Sequence, residues 1–201
     1  MSTIPPIVFG ITGASGAPYG VRLLQTLAAA GRPVSLIVSS HGLRLLQTET
    51  SIQSMDELRT EVGDVAWDRW ITPYDNNDRG APPASGSALS AGMVICPCSM
   101  GTLSAISVGA SRSLIERAAD VTLKERRKLV LVPRETPLSA IHLQNMLRLS
   151  RAGAVVLPAA PAFYHRPKEI GDLVDFIVAR VLDQLGVVHK LGKRWDGKQA
   201  K

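Results

Sequence analysis

An arginine and a glutamate stand side by side between two prolines, at the end of a predicted strand. Arg134 and Glu135 follow the apolar run Leu129–Val132. Here an arginine can bind an anion, and a neighbouring glutamate can move a proton. The two could instead form an ion pair that caps the next helix, with Glu135 near the positive helix end. We favour the functional interpretation, because ligands of open parallel sheets bind beyond the carboxyl ends of the strands.

A turn of small residues follows the first apolar run of the chain. Gly13-Ala14-Ser15-Gly16 comes directly after Ile7–Thr12, and a helical pattern follows. Backbone N–H groups in such a turn can bind an anion, because no bulky side chain blocks the approach. The glycine spacing is not G-x-G-x-x-G, and no Lys-Ser/Thr pair completes a P-loop. A tight turn without a ligand is the alternative.

Hydroxyl groups follow two further strands. Ser39-Ser40-His41 comes after Val34–Val38, and Pro97-Cys98-Ser99-Met100-Gly101-Thr102 comes after Met93–Cys96. A dinucleotide site usually has an acidic residue after its second strand, and here hydroxyls stand instead. They suit a phosphate or a neutral group better. The alternative is that a serine such as Ser39 only caps a helix.

Three other side-chain groups invite two interpretations each. Phe163-Tyr164 could form an aromatic wall with a hydroxyl, or only a loop that covers the core. Arg180, beside an apolar helical stripe, could face an anion or extend along that stripe to water. Cys96 and Cys98 do not have a zinc-site spacing, so we interpret them as buried, inert thiols rather than redox or metal groups.

The elements that must position these residues are predicted by hydrophobic periodicity. Short β-branched runs indicate strands buried on both faces, and longer stretches have apolar residues at helical spacing. Strands are expected at Ile7–Thr12, Val34–Val38, Met93–Cys96, Leu129–Val132 and Ala154–Leu157, and helices at Tyr19–Ala30, Leu114–Arg127, Pro137–Arg151 and Ile170–Leu185. The alternation predicts an α/β fold with a doubly wound, mostly parallel sheet of the Rossmann or flavodoxin type.

The length of 201 residues predicts one domain, over residues 1–188, with a basic and loosely ordered tail at 189–201. The region Ile71–Ser90 breaks the strand–helix rhythm. Its turn-forming residues predict a mobile loop over a site, with a linker as the alternative.

Composition limits the class of partner and the compartment. The net charge is +6, but aromatic residues make up only 4% and the basic residues are dispersed, which favours small phosphorylated ligands over nucleic acid. The absence of a long apolar run predicts no membrane insertion. With only two cysteines and no signal-peptide pattern, we expect a reducing, cytoplasmic location.

Taken together, these residues predict transfer chemistry on a phosphorylated ligand, or a cofactor-binding module. A set of motifs in order along nearly the whole chain then resembles the UbiX flavin prenyltransferase family. The motifs are Gly13-Ala14-Ser15-Gly16, Thr48-Glu49-Thr50, Pro82-Pro83-Ala84-Ser85-Gly86-Ser87, Cys96-Pro97-Cys98-Ser99, Glu116-Arg117-Ala118-Ala119-Asp120-Val121, Leu123-Lys124-Glu125-Arg126-Arg127, Val132-Pro133-Arg134-Glu135-Thr136-Pro137 and Pro161-Ala162-Phe163-Tyr164-His165.

The resemblance implies a metal-independent enzyme that joins a dimethylallyl group from dimethylallyl monophosphate to N5 and C6 of reduced FMN. It also implies a homododecamer with sites at subunit contacts, whose prenylated FMN serves a UbiD-type decarboxylase. The FMN-binding residues implied are Gly13, Ala14, Ser15, Ser39, Ser99, Met100, Gly101, Thr102 and Arg134. The prenyl phosphate would be held by Tyr164 and Arg180, with Arg117 and Lys124 from neighbouring subunits, and Glu135, Ser15 and Glu49 would be the catalytic residues.

One position departs from the pattern of some family members. Arg79-Gly80 stands where those members carry a tryptophan that contacts the prenyl group, so Arg79 could contact the phosphate instead. Two other functions fit the same fold. A flavin-dependent cysteine decarboxylase would carry Pro-Ala-Met-Asn at the position of Pro133-Arg134-Glu135-Thr136, and a flavin-binding regulator would not need Glu135, Tyr164 and Arg180 together.

Overall fold

The computed structural model describes residues 4–192 as an α/β fold around one parallel sheet. Its six strands are β1 Ile7–Ile11, β2 Val34–Val38, β3 Ile71–Tyr74, β4 Gly92–Cys98, β5 Leu129–Pro133 and β6 Val155–Val156. Their spatial order is β3-β2-β1-β4-β5-β6, and every neighbouring pair is parallel. This order confirms the predicted doubly wound sheet.

Eight helices cover the two faces of the sheet among the described residues. They are α1 Ala17–Ala29, α2 Ser40–Glu49, α3 Met55–Val62, α4 Asp64–Trp70, α5 Met100–Ser107, α6 Leu114–Lys124, α7 Ala140–Arg151 and α8 Ile170–Leu185. The longer helices α1, α6 and α8 each bury an apolar stripe, as the amphipathic spacing requires, whereas α2, α3 and α4 bury only one or two residues each.

The core consists of two apolar layers, one on each face of the sheet. Leu23 of α1, Leu46 of α2 and Ile177 of α8 pack on one face, and every residue of the central strand β1 is buried. Leu103 of α5 and Ile115 of α6 pack on the other face. Because both faces are covered, the strands read as continuous apolar runs rather than as alternating patterns.

The structure corrects several predicted boundaries. β3 lies inside the region Ile71–Ser90, which the sequence predicted as a loop. Its four residues include Pro73, and β3 can accommodate a proline because it is an edge strand. Helix α7 begins at Ala140 rather than Pro137, since Ser139 caps it. Helix α6 begins after Ser113, as predicted, but ends at Lys124 rather than Arg127, because the backbone turns to a positive φ at Arg126.

The rest of the predicted mobile loop is anchored by hydrogen bonds. The Leu114 N–H donates to the Asn76 carbonyl over 2.8 Å, and the Ile115 N–H donates to the Asn76 side-chain oxygen over 3.1 Å. Pro82–Ala84 forms one 3-10 turn, with Pro83 and Ala84 buried. The segment is therefore tied to the first turn of α6.

The predicted loosely ordered tail at 189–201 lies mostly outside the described residues, which end at 192. Its first part is packed, because the buried His189 side chain hydrogen-bonds Asp183 over 3.2 Å. None of the helices in the described range is long and apolar enough to cross a membrane.

Candidate active site

The crossover point of the sheet lies between β1 and β4, where the chain leaves the two strands in different directions. Open sheets bind ligands at this point. Thr12 connects the two strand ends, since its hydroxyl donates to the Pro97 carbonyl over 3.0 Å and accepts from the Ser99 N–H over 2.8 Å. The glycine-rich turn and the Pro97–Thr102 segment are therefore held side by side.

A cavity of about 310 Å³ opens at this point, within the size range of small-molecule sites. Its wall is made mostly of hydroxyl groups and small residues. The lining residues are Thr12, Gly13, Ser39, Ser40, His41, Asn76, Ser99, Thr102, Ser113, Ile115 and Glu116. A polar wall of this kind suits the phosphate and polyol part of a nucleotide-like ligand.

Three helices begin at this cavity, and a serine caps each of them. The side chains of Ser39, Ser99 and Ser113 accept hydrogen bonds from the third residues of α2, α5 and α6, over 3.0, 3.2 and 3.3 Å. Ser39 thus caps a helix, as the alternative interpretation held, and a binding role for it stays a prediction. Because each helix start carries a partial positive charge, the three together favour an anion in the cavity.

The three helix starts differ in the N–H groups that they offer. In α6, Asn76 and Ser113 already accept from the first three N–H groups. In α2 and α5, the serine caps accept only from the third N–H group of the helix. Among the described residues, the first two N–H groups of each of these helices have no protein acceptor. The structure therefore points to α2 and α5 as the backbone donors for a phosphate.

The start of α1 has a different partner. The Glu49 carboxylate accepts from the N–H groups of Gly16 and Ala17 over 2.7 and 2.8 Å. The sequence predicted these groups as donors to a ligand anion, but a side chain of the protein occupies them. The glycine-rich turn thus borders the cavity through Gly13, without offering the α1 start to a phosphate.

Glu49 and Arg134 both hold the glycine-rich turn. Partial burial disfavours the Glu49 carboxylate, but hydrogen bonds from Ser15, Gly16 and Ala17 and the charge of Arg134 outweigh it and lower its pKa. Arg134 also donates from Nε to the Ser15 carbonyl over 3.0 Å. Three of the predicted site residues, Ser15, Glu49 and Arg134, therefore lie together.

Glu49→Gln should destabilise the fold by about 1 kcal/mol at pH 7, since neutral amide contacts replace charge-assisted bonds at a helix start. The pKa of Glu49 is lowered in the folded state, so the carboxylate stabilises the protein above its ordinary pKa of 4.5, and this contribution disappears as the pH falls. Urea denaturation of both proteins at pH 7 and at about pH 4 measures this. An equal difference at both pH values would contradict it.

Gly13 allows a close backbone approach at the cavity wall. A Cβ atom at this position would lie 2.5 Å from the Cβ of His41, which is closer than real side chains come. Gly16 has φ of 125°, which L-residues with side chains rarely adopt. Both glycines are therefore required by the geometry of the turn.

The two cysteines lie beneath the site and not in its wall. Both thiols are free and buried, and burial raises the pKa of Cys98 to about 12 and that of Cys96 further. Such thiols stay protonated, as the interpretation of inert buried groups predicts. Between residues 4 and 192, no group of three or more His, Cys, Asp and Glu side chains could hold a metal ion.

Comparison with known proteins identifies the family. The Flavoprotein family model matches residues 1–182. The chain is 52% identical over 201 residues to the flavin prenyltransferase UbiX of Pseudomonas aeruginosa. The aligned region covers 97% of this chain and 96% of the relative. The chain belongs to the UbiX flavin prenyltransferase family. It is therefore a flavin prenyltransferase.

Two solved structures support the same assignment. AnUbiX in complex with FMN and dimethylallyl pyrophosphate matches with a TM-score of 0.84 and 40% identity, over 96% of this chain and all of AnUbiX. A dodecameric FMN-dependent UbiX-like decarboxylase from Escherichia coli O157:H7 matches with a TM-score of 0.88 and 44% identity, over 96% of this chain and all of the relative.

The remaining residues that the UbiX resemblance implies lie outside the cavity wall. Glu135 is exposed next to Arg134, and the Thr136 N–H donates to its carboxylate over 3.2 Å. Tyr164 is 52% exposed and makes an edge contact with Phe176. Arg180 pairs with Asp183 over 3.1 Å on the same helix. All three side chains are exposed in the described chain.

Lys124 and Arg117 lie on α6, which begins at the cavity. Arg117 pairs with Asp120 over 2.9 Å, and Lys124 pairs with Glu125. The helix has eleven residues, so Lys124 lies about 16 Å from the Ser113 end. Lys124 therefore faces the opposite edge of the sheet, beyond reach of its own cavity.

The sequence did not single out Asn76, His41 or Glu116 as site residues, but all three line the cavity. Asn76 belongs to the segment predicted as a mobile loop. Glu116 is buried and its carboxylate binds Arg112 over 3.0 Å, so its charge is compensated. The role of Asn76 could have been predicted from the Asp-Asn-Asn-Asp sequence around it, because Asp and Asn side chains often hydrogen-bond nearby backbone groups.

Proposed function

We propose that this flavin prenyltransferase, over residues 1–188, transfers a dimethylallyl group from dimethylallyl monophosphate to N5 and C6 of reduced FMN. The observation that carries the proposal is the cavity at the β1–β4 crossover, where α2 and α5 offer unused N–H groups. The relative AnUbiX, whose structure contains FMN and dimethylallyl pyrophosphate, supports ligands of the same kind.

FMN fits the residues at this site. Ser39 at the start of α2, and Ser99, Met100, Gly101 and Thr102 at the start of α5, would hold its phosphate and polyol chain. Gly13, in the cavity wall, and Ala14, which has only a methyl group, would lie against the flavin. Arg134, which is already bound to the glycine-rich turn, would complete the FMN-binding set.

The prenyl phosphate would lie between two subunits. Tyr164 and Arg180 of one subunit would contact it, and Arg117 and Lys124 of a neighbour would neutralise its charge. Two observations support a homo-oligomer, which we propose is a dodecamer. Lys124 is remote from its own cavity, and α7 exposes Ile141 to 67% and Leu143 to 53%.

The chemistry proposed for the side chains follows from their charges. The bond between the allylic carbon and phosphate breaks, and the cationic side chains hold the departing phosphate. Reduced FMN, when bound, supplies the electron pairs for the new bonds to N5 and C6. Glu135, with Ser15, would accept or return the proton at N5, and Glu49 would hold Ser15 in place. The released phosphate would act as the base for ring closure.

Anaerobic incubation with FMN, a reductant and dimethylallyl monophosphate tests the function. We expect a flavin whose mass has increased by one five-carbon unit and whose spectrum has changed, with chelator-treated protein equally active because no metal takes part. A flavin of unchanged mass would overturn the proposal. The diphosphate tested in parallel shows which phosphate is preferred.

Two alternative activities would leave the flavin mass unchanged in this assay. A cysteine decarboxylase would release carbon dioxide from a peptidyl or pantothenoyl cysteine, and a flavin-binding regulator would bind FMN without product. The Pro133-Arg134-Glu135-Thr136 sequence argues against the first, since those enzymes carry Pro-Ala-Met-Asn there. We further propose a cytoplasmic location and transfer of the product to a UbiD-type decarboxylase.

A further inference from the structure

The turn at residues 85–90 lies at the amino edge of the sheet, away from the cavity. Immediately after it, the Ala91 N–H donates to the Pro6 carbonyl over 2.9 Å, just before β1 begins. The end of α6, with Lys124, lies at the same edge. This turn and Lys124 therefore form one surface, which we call the 85–90/Lys124 surface.

Arg127 holds this turn with its guanidinium group. Its Nη2 donates to the Gly86 carbonyl over 2.7 Å, and its Nη1 donates to the Ala88 carbonyl over 2.8 Å and faces the Ser90 hydroxyl at 3.4 Å. The side chain is half-buried, so these contacts are shielded from solvent in part. One arginine thus fixes three residues of the turn, which the fork of donors on a guanidinium group permits.

Gly86 brings the turn into contact with the head group of Lys124. A Cβ atom at Gly86 would meet the Glu125 Oε1 first and would lie 2.7 Å from the Lys124 Nζ. The pKa of Glu125 is lowered, first by its hydrogen bond with Lys124 and also by the charge of Arg127. The position of the Lys124 ammonium is therefore set by the turn, Glu125 and Arg127 together.

We propose that Arg127 is a positioning residue for prenyl-phosphate binding, which holds the 85–90/Lys124 surface in the shape that a second copy of the chain requires. This inference rests on the proposed function, in which Lys124 serves the site of a neighbour. Arg127 contacts neither FMN nor the prenyl phosphate. Its effect reaches the phosphate through the turn and the Lys124 ammonium.

Steady-state kinetics and FMN binding of the intact oligomer test this role. We expect Arg127→Ala to raise the KM for dimethylallyl monophosphate by about tenfold, and to change the Kd for FMN by less than about twofold. Gly86→Ala retains the Arg127 side chain but displaces the Lys124–Glu125 pair, and we expect it to raise the KM by about threefold. The backbone at Gly86 does not have a positive φ, so alanine fits its conformation.

Arg126→Ala is the matched control, because Arg126 is the exposed neighbour of Arg127. We expect it to leave the KM and the FMN Kd unchanged. Wild-type turnover with an unaltered KM in the Arg127→Ala and Gly86→Ala proteins would overturn this inference alone. A loss of FMN affinity as large as the rise in KM would also overturn it. Wild-type protein that forms no prenylated FMN would overturn both this inference and the proposed function.

Discussion

The Glu135→Gln substitution should slow flavin prenylation by about two to four orders of magnitude and leave FMN binding intact. Glu135 is exposed just after β5, and its carboxylate accepts a hydrogen bond from the Thr136 N–H. Its carboxylate is therefore free to exchange protons with a bound ligand. The adjacent Arg134 binds the Ser15 carbonyl, so the chain carries Glu135 close to the glycine-rich turn.

Rapid-quench measurement of product formation, with FMN binding followed by fluorescence, checks the Glu135→Gln protein. Glu61→Gln is the control, because Glu61 is an exposed glutamate on α3 that contacts Gln25. A normal rate in the Glu135→Gln protein would disprove the proton-transfer role. A loss of FMN affinity that matched the loss of rate would assign Glu135 to binding instead.

Mixed oligomers of two inactive variants should regain activity. A Lys124→Ala chain keeps Glu135 in its own site, and a Glu135→Gln chain keeps Lys124 for a neighbour. In an equal mixture, about one site in four combines an intact Glu135 with an intact Lys124 from the next subunit. We therefore expect about a quarter of the wild-type activity per chain. The physical reason is the length of α6, which separates Lys124 from the cavity of its own chain.

Co-expression of the two chains with different affinity tags, followed by two-step purification, gives the mixed oligomers. Chains with Lys124→Ala, mixed with chains that carry both Lys124→Ala and Glu135→Gln, serve as the control, and we expect no recovery from them. Activity in the first mixture no higher than the average of the two pure variants would show that Lys124 does not serve a neighbouring site.

The sequence predicted the sheet well, because buried parallel strands are the strongest pattern in the chain. Val34–Val38 and Ile170–Leu185 have the predicted bounds. Ile71–Tyr74 was missed, since a four-residue edge strand with a proline has little apolar pattern. Helices α2, α3 and α4 were missed as well, because they each bury only one or two residues, and short exposed helices have a weak periodicity.

The site was predictable where one residue type decides the local geometry, as at Gly13 and Ser39. The contact of Glu49 with the start of α1 was not predictable from the pattern, because it joins residues more than thirty positions apart. The same holds for Asn76, which caps α6 from a position 39 residues earlier in the chain than Ile115. Such contacts depend on the tertiary arrangement of α2 and of the segment after β3.

The Glu49 carboxylate also determines which nucleotides this protein cannot bind. In dinucleotide-binding proteins of this topology, the first helix start holds the pyrophosphate. Here that position already carries a negative charge, so a pyrophosphate would meet both repulsion and N–H groups that are in use. Selection against NAD is therefore a property of the last turn of α2, and an acidic residue introduced after β2 would not by itself convert this protein into a dehydrogenase.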